Sequence, residues 1–318
     1  MATISAATFN AIQKKAAAVL GTGGTDPATN LPDSRYGYGQ SLASSAVTAG
    51  SIIRASSWIN LRTDLAKART KQIGSVGTGT GQGPAWANLV TIASGTVISN
   101  AIVTQYQGVA SAIVTDKFLA AGSQLGSSAV TSTRATAWGT TLTTPSITHV
   151  ARVTLTDTVQ ARYFFNAGGK INYTASLASG VVNNKYTAWV NTLSGMGTLT
   201  FAVNQSSSTF GAFTVTRSGA SGTASSITLS GVNQTIYTST QSAPYALNTF
   251  TVQARYVTTS PYVIELTATL TDGDLGTQTG IGPAIDEVLS GTVTSTFTVT
   301  PIQGAFAITP TIANQTTL

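Results

Sequence analysis

Two stretches, TFTVQARYV (249–257) and YVIELTATLTD (262–272), decide the fold. Phe250, Val252 and Ala254 fall two apart in the first, as do Ile264, Leu266, Ala268 and Leu270 in the second. Side chains alternate between the faces of a strand, so this spacing marks an antiparallel sheet with one face buried. Working outward, the same pattern recurs in HVARVTLTD (149–157), KINYTASLA (170–178), GTLTFAVNQ (197–205), GAFTVTRSG (211–219), SSITLSGV (225–232) and GTVTSTFTVTP (291–301). Val, Ile, Thr, Tyr and Phe fill these runs, and Gly, Ser, Asn and Asp break them. Strands this short and this regularly spaced predict a mainly β chain with a C-terminal β-sandwich, Ig-like or jelly-roll-like, over residues 144–318. NNKYTAWVNTLSGMG (183–197) interrupts it with Tyr186, Trp189 and Leu193 at helical spacing, a helix covering the sandwich edge. The final ITPTIANQTTL (308–318) reads as a strand or a tail packed on a neighbour.

Residues 1–143 read differently, as a docking region of short helices and long arms. Three segments, ISAATFNAIQKKAAAVL (4–20), IRASSWINLRTDLAKAR (53–69) and AIVTQYQGVASAIV (101–114), form a weak repeat of period 48 to 49. Each has an aromatic (Phe9, Trp58, Tyr106) followed at +3 by an aliphatic (Ile12, Leu61, Val109), the start of one amphipathic face. Ser56 or Ser57 is the expected N-cap of the second helix, and Gly21 and Gly74 follow the expected ends of the first two. VTAGSIIRA and VTIASGTVISNA, beginning at Val47 and Val90, are similar lead-ins. The arms GTGGTDPATNLPDSRYGYGQ (21–40) and GSVGTGTGQGP (74–84) are too glycine-rich for helix or strand. They are flexible linkers, or they are pinned to a neighbour, and Tyr36 and Tyr38 suit docking on another subunit.

Composition narrows the function. Of 318 residues only 26 are charged, against about a quarter in an average protein. There is one His, no Cys, and 33 Ser with 56 Thr. Catalysis needs groups that move protons, hold metals or attack electrophiles, and few are present. A Ser-His-Asp triad would need His149 with Asp157, but no nucleophile-elbow motif accompanies them. GTGTGQGP (77–84) lacks the Gly-Lys-Ser/Thr of a phosphate loop, and no zinc spacing exists. Asp272, Asp274, Asp286 and Glu287 are the one carboxylate cluster, a weak Ca²⁺ candidate set against a simple DGD turn. A glycosidase pair on a single loop is less favoured still. The expectation is a non-enzyme with no cofactor. No apolar run approaches the roughly 18 residues of a membrane span. MATISAATFN lacks a secretion signal, so neither membrane nor export is expected.

Charge is uneven. Residues 1–75 carry eight Lys/Arg and three Asp, and the rest carry eight basic and seven acidic residues. The basic end suits an acidic partner, with nucleic acid the less favoured choice, or is a solvated helix face: Arg62, Asp64, Lys67, Arg69 and Lys71 lie at helical spacings. With Arg35, Tyr36, Tyr38, Arg54 and Trp58, the basic residues of this helix form the expected docking or oligomer interface. Trp86 and Trp138, in Gly/Thr-rich surroundings, are candidate exposed aromatics for sugar stacking, or core.

ARYFFNAGGKINYTASLASG (161–180) resembles a segment of virion structural proteins of tailed phages, cyanophages especially. The resembling motif is Phe164, Phe165, Asn166, Gly168 and Gly169 followed by an amphipathic strand. Further likeness lies in Ile4 to Asn10, in YGYGQ (36–40), in Val47 to Lys71, in RATAWGTTL (134–142) and in the run from Trp189 to Thr198. The resemblance covers roughly residues 1–205. It implies a structural component of the virion. Together with the arms and the basic N-terminal region, the expectation is a tail, baseplate or neck fibre or adaptor, made in the host cytoplasm, trimeric or hexameric, that docks on other virion proteins. A capsid decoration protein and a module binding a host-surface glycan are the alternatives. Abundant neutral hydroxyls suit such a role, because burying unpaired ions at large interfaces is expensive.

Overall fold

The computed structural model describes residues 4–74, 89–140, 145–274 and 287–318. The arm over 75–84, Trp86 and Asp286 therefore lie outside the described residues. Among the described residues strands pair antiparallel throughout, in a two-stranded sheet of β1 (Gly24–Thr25) and β2 (Pro32–Asp33) within the first arm and in two six-stranded sheets. One sheet has the order β14-β4-β12-β11-β10-β8: β14 (Thr311–Thr316), β4 (Ser146–Leu155), β12 (Tyr262–Thr271), β11 (Thr249–Thr259), β10 (Gln234–Thr240), β8 (Thr223–Ala224). The other has the order β3-β13-β5-β6-β7-β9: β3 (Ser128–Arg134), β13 (Thr292–Thr300), β5 (Lys170–Ala178), β6 (Leu199–Val203), β7 (Ala212–Arg217), β9 (Ile227–Thr228). The inner faces meet: the His149 ring of β4 sits 5.0 Å from Phe297 of β13, and Tyr173 of β5 sits 6.1 Å from Phe250 of β11.

The sheets are interlocked. β4 and β5 follow one another in opposite sheets, as do β12 and β13, and β4 pairs with β12 while β5 pairs with β13. Alternation drives this burial, with Phe250, Val252, Ala254, Ile264, Ala268, Leu270, Val293, Phe297 and Val299 all shielded from solvent. On β12 the buried Glu265 lies directly opposite Arg152 and Arg255 and pairs with both, at 2.7 and 2.6 Å. Opposed cross-strand charges support the register.

Among the described residues three α-helices precede the sandwich: α1 (Ala6–Leu20), α2 (Ala55–Ile73) and α3 (Asn100–Thr115). Their packing is the repeat made physical. Phe9 meets Trp58 edge-on at 5.2 Å, and Trp58 meets Tyr106 edge-on at 5.0 Å. The +3 and +7 residues (Ile12 and Ala16, Leu61 and Leu65, Val109 and Ile113) complete the buried faces. The lead-ins are pinned by different helices, Val47 by the preceding α1 and Val90 by α3, into which it leads. Asn10 donates to Val47 O and accepts from Val47 N, while Tyr106 donates to Val90 O and Gln105 accepts from Val90 N.

Several expectations are corrected. The first arm does hold strand despite its glycines, because Gly24 and Thr25 pair with Asp33 and Pro32 in a short antiparallel ladder. The N-cap of α2 is Arg54, without a side-chain bond, so Ser56 and Ser57 lie inside its first turn. β3 enters the sandwich before residue 144 and β10 was not expected at all. SSITLSGV shortens to the two residues of β9. The C-terminal segment pairs with β4 of its own chain, and Leu318 N reaches Ser132 Oγ at 2.8 Å. Two further helices serve the sandwich: α4 (Thr158–Asn166), which carries the chain from β4 to β5, and α5 (Asn184–Met196), packed on β5.

Candidate functional site

The motif Phe164–Gly169 forms the joint between bundle and sandwich. Asp157 caps α4 by accepting from Gln160 N at 2.7 Å. At the other end Phe165 packs 4.8 Å from Phe213, which stacks on Phe201 at 4.3 Å, so α4 is anchored in the sandwich core. Asn166 follows, nearly without exposure. Its amide donates to three carbonyls of the first arm: Ser34 O at 2.7 Å, Tyr36 O at 3.2 Å and Gly37 O at 3.4 Å. Gly168 has φ +92°, and a Cβ there would lie 2.7 Å from the Ala120 methyl, so only glycine fits. Gly39 on the arm is held likewise, with φ +73° and room for no Cβ beside the Tyr163 ring.

Lys71 closes the joint from α2. It is fully buried, donates to Ala167 O at the C-terminal end of α4, and lies 5.9 Å from the Tyr38 ring centre. Burial pulls its ammonium down to about 8. The carbonyl at a helix C-terminus, where the dipole is negative, is a favourable acceptor for it. Gln72 beside it donates to Ile113 O and to the Tyr38 hydroxyl, at 2.9 and 3.2 Å. Tyr38 in turn donates to Lys117 O, and desolvation raises its phenol.

These contacts correct the expected docking surface. Tyr36 and Tyr38 bind their own chain, and Trp58 is the centre of the aromatic column. Arg69 is buried and pairs with Asp116 at 2.5 Å, and Lys71 is enclosed. Asp64 is buried too, accepting from Ala43 N, Ser44 N and the Ser44 hydroxyl to hold the linker before α2. So much of the basic helix faces inward. Arg54 remains exposed, and Arg35, Arg62 and Lys67 are partly so, with Arg35 bound to Asp33 at 2.6 Å. Trp138 is also core, 5.2 Å from Trp189.

The described members of the acidic cluster, Asp272, Asp274 and Glu287, take structural partners. Asp272 pairs with Lys185 at 2.9 Å, and both side chains are fully buried. The same ammonium donates to Gly139 O and Asp274 O, each at 3.2 Å. Asp274 accepts from Leu247 N, and Glu287 accepts from the Tyr245 hydroxyl. Lys185 is thus the cation that Asp272 and the Asp274 carbonyl meet. Among the described residues no group of three His, Cys, Asp or Glu is arranged to hold a metal.

His149 sits at the centre of the sandwich. Its Nε2 is 2.8 Å from Asn314 Oδ1 and its Nδ1 is 2.7 Å from Ser295 Oγ, which is 3.0 Å from the Tyr173 hydroxyl. Asn314 Nδ2 donates to Thr131 O, so its Oδ1 faces the ring and Nε2 carries the proton. Burial lowers the imidazole below its ordinary 6.5. Asp157 is a helix cap, and Ser295 is sealed from solvent. This is a structural network that ties β14 to β4 and β13, with no open nucleophile. Sequence reasoning missed the roles of Asn166 and Lys185, whose partners lie far along the chain.

No protein-family model, curated protein or solved structure matches the chain. No helix among the described residues is long and apolar enough to cross a membrane.

Proposed function

We propose that the chain is a non-enzymatic structural component of a tailed-phage virion. It is a tail, baseplate or neck fibre or adaptor that self-associates as a trimer or hexamer and docks through its N-terminal region. One observation carries this reading: the use of the scarce charges. Each of the nine described carboxylates has a structural partner. Asp26, Asp64, Asp157 and Asp274 accept from backbone N–H groups. Asp33, Asp116, Asp272 and Glu265 pair with Arg or Lys, and Glu287 with Tyr245. What remains outward is largely neutral and hydroxyl-rich, the surface an assembly part needs. The sandwich itself we read as Ig-like, because its central strands pair first with first and second with second, as in the B–E and C–F pairs of that fold.

With the first arm folded onto its own chain, the docking face moves to the outside of the bundle. Arg54 is exposed there, beside Ile52 at 86% exposure and Ile59 at 42%. Light scattering on the full chain tests this. A trimer or hexamer that Ile52→Asp breaks into smaller species supports the reading. A monomer at every concentration contradicts self-association and favours decoration of a preformed shell.

A further inference from the structure

We propose that the cleft between α5 and residues 239–245 is a binding site for an uncharged glycan. The cleft has a volume of about 390 Å³, within the range of ligand sites. One wall is the polar face of α5. Asn184, Thr187, Ala188 and Asn191 lie at i, i+3, i+4 and i+7 and line the cleft, while Lys185, Trp189, Leu193 and Met196 on the other side are buried. The facing wall supplies Thr240, Gln241 and Ser242, with Ala243 and Pro244 beside them.

The chemistry of this lining selects the ligand. No Lys, Arg, His, Asp or Glu lines the cleft, and the nearest cation in sequence, Lys185, is turned onto Asp272. A phosphate or sulfate group would want a cationic fork or ammonium, and a cation would want carboxylates. Amides and hydroxyls both donate and accept, as the hydroxyls of a sugar do. Ala188, Ala243 and Pro244 add apolar surface for the CH face of a ring.

Gln241 gives the second, independent sign. It is nine-tenths buried, and its Oε1 accepts from Asn248 Nδ2 at 3.3 Å. Its Nε2 is buried with no partner in the chain. An orphaned buried donor is costly, and because Gln241 itself lines the cleft, a turn of its amide toward a ligand hydroxyl would supply the missing acceptor. The site does not depend on the virion reading, since the cleft exists in the single chain.

The test is a microarray of neutral and anionic glycans probed with the labelled full chain. The expected result is binding confined to neutral glycans, weakened by about tenfold or more in Asn191→Ala/Thr240→Ala, as loss of two hydrogen bonds implies. Both positions are exposed, so the melting temperature should not change. Ala188→Trp, which fills the cleft, should abolish binding. Binding to no neutral glycan, binding to anionic glycans alone, or full binding by the double variant would each overturn the proposal.

Discussion

The helical bundle and the sandwich solve one problem, fixing long irregular segments, by different means. The bundle uses buried polar side chains as single pins. Asp64 holds residues 43 and 44, Asn10 holds Val47, and Lys71 reaches across to Ala167. The sandwich uses ladders, with Glu265 and His149 as local ties within a continuous register. Pins localise stability and ladders distribute it. A change in the bundle should therefore be felt sharply in one place, while the sandwich should respond as a unit.

Trp58→Ala is the hardest blow to that contrast. It empties the middle of the aromatic column, and loss of a buried Trp typically costs about 3–5 kcal/mol. Hydrogen exchange should rise throughout α1, α2 and α3 while β11, β12 and β13 stay protected. Loss of protection in the sandwich as well would show that the two regions unfold together.

Lys185→Met probes the sandwich in the same way. It removes the ammonium that offsets the buried Asp272 carboxylate, which costs about 3–5 kcal/mol, whereas Lys185→Met with Asp272→Leu should recover much of that loss. Chemical denaturation of both variants gives the comparison. Equal destabilisation of the single and double variants would mean that Gly139 and Asp274, not Asp272, are the important partners.

Asn166→Ala is milder and touches the joint. It removes the amide that donates to three arm carbonyls, at a cost of about 1–3 kcal/mol. Limited proteolysis should then cut near residues 34–37 before anywhere in the sandwich. An uncut arm would shift its anchorage to the Tyr38 and Gly39 contacts.

The smallest effect is a pH slope. His149 has a lowered value in the folded chain and an ordinary 6.5 when unfolded. The unfolded chain thus binds the proton more readily, and stability, fully present above pH 6.5, should fall as pH drops below it. His149→Gln should flatten that slope in paired melting curves, and an unchanged slope would place the titration elsewhere.

Much of this was legible in the sequence where the pattern was periodic. The spacing of Phe9, Trp58 and Tyr106 predicted three like helices, and their aromatics prove to touch. Alternation placed β5, β11, β12 and β13 within a residue or two. Legibility failed where apolar signal was thin or contiguous. β10 has Ile236 and Tyr237 adjacent at a bulge, so its alternation breaks. α4 has Tyr163, Phe164 and Phe165 in a row, which hides a helical period, although Asp157 with Gln160 three residues on was a usable start signal. The docking surface was misread for a different reason. The charge and aromatic content of Tyr36, Tyr38, Arg69 and Lys71 suggested a partner, and nothing local reveals that the partner is residues 113–167 of the same chain.

The central claim is that this chain is built into a virion, and mass spectrometry of purified particles tests it most directly. Particles from a phage encoding the chain should contain peptides from both the bundle and the sandwich, in fixed ratio to the tail proteins. Abundant expression in the infected cell with no peptide in purified particles would contradict the account.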